Sequence, residues 1–236
     1  MGALFHSLVQ GITWIINWLY TFTETLGVAN YGLAIILFTI LLKIVLYPLT
    51  LKQMRSMYLM QALAPKIKEI QEKYKNKDPQ KMQQKIMELY KENNVNPLSG
   101  CLPLLVQMPI LIALYRALLN FNYVDISHAG FLWISNLSEK NNEIFGIPIP
   151  ALAILAAVTT YFQSKLTTNT ADQTQKIMLY TMPLMIGYFA TQVPAGLALY
   201  WVTFNLLGII QQYIVNKQTM ALKEAIAEGE GNRKNG

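Results

Sequence analysis

Lys43 is the residue whose type and place most demand explanation. It lies in the apolar run YGLAIILFTILLKIVLYPLT (31–50), about six residues, or roughly 9 Å, inside the end of that run. A basic group near the middle of a membrane-spanning helix is unfavourable by about 2.5–3.5 kcal/mol. Snorkelling to headgroups offsets part of this for a solitary lysine. Lys43 is not solitary in type, because polar residues recur at helical spacing on other apolar segments. Thr39 shares its face one turn earlier, with Gly32 and Thr50 roughly in line. Trp201, Asn205, Gly208 and Gln212 recur at intervals of 4, 3 and 4. Thr159 and Gln163 share another helix face, and Gln107 is a lone amide in a further segment. Each alone reads as an interhelical hydrogen bond worth about 0.6 kcal/mol. Together they read as the wall of a hydrated cavity holding one cation.

Such a cavity is suited to attracting negative charge and releasing it. At 4 Å and an effective dielectric near 20, a lysine–carboxylate pair is worth about 4 kcal/mol before desolvation. Ion-coupled carriers use intramembrane acids or broken helices in paired repeats, and neither pattern is present. Covalent chemistry has little support. Cys101 is the single cysteine, His6 and His128 are the only histidines, and there is no HExxH. No metal site, cofactor or enzymatic activity is expected.

The elements that position these residues must be membrane helices. Of 236 residues, 53% are hydrophobic and only 14% charged, against about 25% charged in soluble domains. Five windows, near 31–49, 98–119, 147–164, 177–193 and 195–215, approach the length needed to cross a bilayer. Pro48, Pro103, Pro109 and Pro183 predict kinks, and Pro194 a tight hairpin between the last two spans. No Lys or Arg precedes Lys43, whereas residues 52–95 hold ten of the nineteen basic residues and five of the thirteen acidic ones. The positive-inside rule then puts the N-terminus outside and the C-terminus in the cytoplasm. Arg116 snorkels outward in this topology.

The expected fold is an all-α membrane protein with a five-transmembrane-helix core, a cytoplasmic antiparallel helical hairpin and an N-terminal external interfacial helix. Residues 1–27 form the external amphipathic helix, with a sixth span over the first twenty residues as the alternative, 28–51 the first transmembrane helix and 52–95 the basic hairpin. Residues 96–216 hold transmembrane helices two to five with an external loop at 120–146, and 217–236 form a short cytoplasmic tail. In the first helix Phe5, Leu8, Ile12, Ile15 and Leu19 make the apolar face, with Trp14 and Trp18 as interfacial anchors. In the hairpin Met57, Ile67, Ile70 and Tyr74 face Met82, Ile86, Leu89 and Tyr90 across the turn NKDP (76–79), where Asp78 caps a helix beginning at Pro79. The basic surface suits anionic lipids or ribosomal RNA. Met178, Met182 and Met185 form a stripe best read as core packing, with a flexible surface for varied helices as the alternative.

Four stretches carry a family resemblance: YGLAIILFTILLKIVLYPLTLKQ (31–53), NPLSGCLPLLVQMPILIALYRAL (96–118), FLWISNLS (131–138) and PAGLALYWVTFNLLGIIQQY (194–213). They closely resemble the YidC membrane protein insertases, bacterial relatives of the mitochondrial Oxa and chloroplast Albino insertases. The resemblance implies a multi-pass bacterial plasma membrane protein whose five-helix core holds a hydrophilic groove open to cytoplasm and lipid and sealed outside. A basic residue, usually arginine, occupies the position matched by Lys43. Lysine keeps the charge and loses the bidentate fork. Gln163 and Trp201 match other groove positions, and 52–95 matches a mobile cytoplasmic hairpin needed for activity.

The resemblance also implies a short form without a large periplasmic domain, and nascent membrane proteins as clients. The ribosome, the signal recognition particle pathway, the general secretion channel and anionic lipids are further partners, and DNA is not. The expected groove residues are Lys43, Thr39, Gln107, Gln163, Trp201 and Asn205. An anion carrier with Lys43 as its ligand site, and a scaffold assisting the secretion channel, are the rival functions.

Overall fold

The computed structural model describes residues 3–74, 77–93, 102–119, 121–140, 143–144, 146–147, 149–167 and 173–234. Cys101, Asn76 and Pro148, and the side chains of Met57, Pro103 and the residues beyond Lys217, lie outside what is described structurally. The described residues are helical throughout, apart from loops and two isolated bridges at Phe131–Ile134 and Ile144–Ile147. In chain order the helices are α1 (Ala3–Thr25), α2 (Tyr31–Val45), α3 (Tyr47–Ala62), α4 (Ala64–Tyr74), α5 (Pro79–Glu92), α6 (Leu102–Leu119), α7 (Ala151–Thr167), α8 (Gln173–Ala190) and α9 (Ala195–Lys234).

The chain reverses between α1 and α2 at Gly27, whose φ of 79° is a left-handed conformation that glycine adopts without strain. Asn30 then caps α2, its side-chain oxygen accepting from the Leu33 N–H at 3.1 Å. Caps of this type are worth about 1 kcal/mol. The same amide donates to the Gly130 carbonyl at 3.0 Å, so the start of α2 is tied to the loop between α6 and α7.

One apolar cluster joins α1, α2, α6, α7, α8 and α9, with Ile16, Ile35, Leu114, Leu118, Leu137 and Tyr200 among its most enclosed members. The face that α1 buries is rotated from the sequence expectation. Ile12, Ile16, Leu19, Tyr20 and Thr23 are enclosed, while Leu8 is exposed and Ile15 only half-buried. The reason is that α1 packs on both α2 and α6 rather than resting on a flat surface. Trp14, Trp18 and Phe22 stay exposed at four-residue spacing on the opposite side.

Between α2 and α3 the axis bends by 65°. Pro48 stands in the first turn of α3, where its missing N–H is no loss, and the Leu46 N–H still bonds to Leu42 O at 2.9 Å. Beyond the bend, Met60, Leu63 and Ile67 are buried against Ile86, Leu89 and Tyr90, which holds α4 and α5 together. Asp78 caps α5, accepting from the Lys81 N–H at 2.9 Å, with Pro79 in the first turn.

By length and composition, among the described residues, Ala195–Lys217 of α9 alone is long and apolar enough to cross a membrane. The bent pair Tyr31–Val45 and Tyr47–Met54 passes jointly, and Leu105–Leu119 and Ala151–Leu166 are shorter apolar helices. Helix α8 exposes Met178 and Met185, and only Met182 of that stripe packs on the core. Core packing is therefore not what the methionine stripe does, because α8 lies against α7 and presents its outer face to the surroundings.

Candidate functional site

Lys43 closes the last turn of α2, and its side chain turns inward against α9. Only 9% of the residue is exposed. The ammonium Nζ stands 3.6 Å from the centroid of the Phe204 ring, a cation–π contact of about 0.5–2 kcal/mol depending on desolvation. No carboxylate lies within ion-pair distance of it among the described residues. Gly208 stands one turn beyond Phe204. A Cβ added there would lie 3.2 Å from Lys43 Nζ and 2.6 Å from Gln163 Nε2. The Lys43 and Gln163 side chains therefore converge on the same bare stretch of α9 from α2 and α7.

Asn205 continues the site. In the orientation its neighbours favour, its amide nitrogen donates to Gln163 Oε1. Its oxygen then accepts from Thr160 Oγ1 at 2.8 Å, Thr159 Oγ1 at 3.2 Å and Trp201 Nε1 at 3.3 Å. The structure thus joins Lys43, Gln163, Asn205 and Trp201 in one polar recess between α2, α7 and α9. Thr160 belongs to it as well, although the sequence reading passed over it. Its adjacency to Thr159 was the available signal, since both hydroxyls reach the same amide.

Two expected members stand apart. Thr39 is fully enclosed, and its hydroxyl donates back to Ile35 O at 2.7 Å. Gln107 donates to the Tyr200 hydroxyl, and Tyr200 lies 5.8 Å, ring to ring, from Phe204. That amide reaches the recess only through an aromatic intermediary. Thr50 is carried away from the Lys43 line by the bend and accepts from Gln211 Nε2 at 2.8 Å, fastening α3 to α9.

The two ends of the recess differ. Toward the α6–α7 loop, the Gly196 N–H donates to Leu137 O at 2.8 Å and the Ala195 N–H to Glu139 O at 2.7 Å. These bonds satisfy two of the free donors at the start of α9. The Phe131 ring fills the space beside Gly32, where any Cβ would collide with it. Tyr20 stacks on Tyr31 at 4.1 Å and 4°, and Phe121 and Tyr123 meet Tyr31 edge-on. Toward α3 the buried amides of Gln53 and Gln212 each leave one atom, Nε2 and Oε1, without a hydrogen-bond partner among the described residues, as the Trp133 indole Nε1 does at the loop end.

His128, which has no role in the sequence reading, shares a hydrogen bond through Nδ1 with the Tyr20 hydroxyl at 2.8 Å. That contact ties α1 to the loop. Burial raises the Tyr20 phenol above its ordinary value, so Tyr20 is neutral in this pair. His6 contacts only Gln10, at 3.0 Å among the described contacts, and Arg116 is exposed.

A family model described as the 60Kd inner membrane protein matches residues 21–223. The chain belongs to that family. Relatives named membrane protein insertase YidC include those of Leptospira interrogans, 44% identical over 92% of this chain, and Oceanobacillus iheyensis, 44% identical over 91%. The Helicobacter pylori protein of the same name is 42% identical over 96% of the chain. The chain spans 35% of the Leptospira protein and 39% of the Helicobacter one, but 84% of that from Oceanobacillus. A solved structure of an active YidC insertase with its first transmembrane domain resolved matches with a TM-score of 0.68 and 31% identity. That match covers 90% of this chain and 47% of the other. The all-helical fold is therefore that of a membrane insertase family.

Proposed function

We propose that the chain inserts newly made membrane proteins into the bacterial plasma membrane, without covalent chemistry. It does so by offering a client's polar tail a cationic half-way station inside the bilayer. The observation that carries this reading is the Lys43 ammonium, buried against the Phe204 ring and beside the Gln163 amide, with no carboxylate partner among the described residues. A charge held by an aromatic face and dipoles is open to exchange for an incoming acid, whereas a charge already in an ion pair is not.

In this reading α2 with the start of α3, α6, α7, α8 and α9 are five spans, with α1 on the outer surface. The α6–α7 loop closes the outer end, and the unpartnered amides face the cytoplasmic end. The α4–α5 hairpin with its lysines projects into the cytoplasm and receives clients, the ribosome or anionic headgroups. Outside positive, an acidic tail gains about 2.3 kcal/mol per charge per 100 mV on crossing, which gives insertion a direction.

Purified full-length chain in liposomes, offered a client with an acidic tail, tests the proposal. Insertion without other factors is expected, with Lys43→Ala impaired and Lys43→Arg tolerated. Saturable anion flux without any client would instead identify a carrier. Insertion only in the presence of the general secretion channel would identify an accessory scaffold.

A further inference from the structure

The aromatic and glycine positions beside Lys43 are not explained by the polar stripe alone. Phe204 and Gly208 are one turn apart on α9 and both border the ammonium. The Phe204 centroid is 3.6 Å from Nζ, and the position a Gly208 Cβ would take is 3.2 Å from it. An alanine at 208 would press on two flexible side-chain ends, Gln163 Nε2 and Lys43 Nζ. Their displacement, rather than loss of the fold, is the expected result. Phe204 is half-buried in the core cluster, with Tyr200 stacked obliquely behind it at 5.8 Å, so its ring face is fixed before any ligand arrives.

We propose that Phe204 and Gly208 are positioning residues that together form a seat for the Lys43 ammonium. The ring face keeps the charge in the recess between clients, and the missing Cβ lets ammonium and Gln163 amide lie side by side against α9. A carboxylate in the client's tail is the chemistry that draws the ammonium off the ring. The proposal rests on the reading of Lys43 as the attractor of acidic tails.

The test uses the reconstituted full chain and two clients that differ only in an acidic or a neutral polar tail, with the ratio of their insertion as the readout. Phe204→Leu and Gly208→Ala are each expected to lower the acidic-over-neutral ratio about three- to ten-fold. Phe204→Tyr is expected to retain the ratio, and Gln163→Ala to restore it in the Gly208→Ala background. With Lys43→Met the ratio is expected to be low already, and neither substitution should change it further. Equal fold-changes with and without Lys43 would mark a packing effect and overturn the seat. So would a wild-type ratio in both Phe204→Leu and Gly208→Ala when Lys43→Met loses it. A wild-type ratio in Lys43→Met itself would overturn the attractor reading and the seat with it.

Discussion

The loop end and the hairpin end of the helical core differ in what holds their buried polar groups. At the loop end the tyrosine hydroxyls are matched, although the buried Trp133 Nε1 has no hydrogen-bond partner among the described residues. The Tyr31 hydroxyl donates to Asn17 Oδ1 at 3.2 Å and accepts from the Val124 N–H at 2.7 Å. Tyr123 meets Ser138 at 2.7 Å and Asn136 at 3.2 Å. At the hairpin end the ammonium has an aromatic face and Gln163 beside it, and the buried Gln53 Nε2 and Gln212 Oε1 go unmatched among the described residues. Matched groups in a low-dielectric interior fix one arrangement, whereas unmatched ones favour whatever supplies the missing partner. The contrast teaches that one helical core can hold its loop end by hydrogen bonds between distant segments and its hairpin end around a buried ammonium on an aromatic face.

Gly32→Val is the strongest way to break the closed end, because its side chain would occupy the space of the Phe131 ring. Overpacking of this kind costs about 1–3 kcal/mol, and thermal unfolding in detergent should show the loss. Tyr31→Phe is expected to cost about 1–2 kcal/mol in the same assay, since it removes a donor to Asn17 and leaves the Val124 N–H without its acceptor. Gln212→Met sharpens the comparison from the other end. It removes the unmatched Oε1 together with the bond from Nε2 to Asn216 Oδ1 at 2.7 Å, two opposing effects, so stability should change by less than about 1 kcal/mol in either direction. A large loss there would show that the hairpin end is as tightly matched as the loop end.

The smallest effect concerns pH. The Ser127 hydroxyl and then the Ser127 N–H lower the Asp125 carboxyl below its ordinary value of 3.8. Its contribution to the loop is therefore fully present above that value and is lost as pH falls through the lowered folded value. Hydrogen exchange at Ser127 should quicken at that acid limit in the native chain and not in Asp125→Asn.

Much of the recess was legible because helices impose a period. The interval of four between Trp201 and Asn205, and between Thr159 and Gln163, puts each pair on one face before any partner is known. The Asp78–Pro79 start of α5 was legible for a local reason, the chemistry of a cap. What was not legible depends on contacts between distant segments. Nothing periodic announces that Leu137 and Glu139 carbonyls cap α9, that Tyr200 takes the Gln107 amide, or that Phe204 faces Lys43. The α1 face was misjudged for the same reason. Periodicity offered several apolar stripes, and packing against two helices at once chose the one through Ile16. Thr50 was aligned with Lys43 on the assumption of a straight axis, which the bend before Pro48 removes.

The elbow at Leu46 has a mechanical corollary. It lies less than one turn past Lys43, an arm of about 4.5 Å, while the 16 residues of α3 make an arm of about 24 Å on the other side. Any swing about that pivot moves the far tip of α3 roughly five times as far as the ammonium. Such a lever would carry the far end of α3 widely while the charge keeps its station.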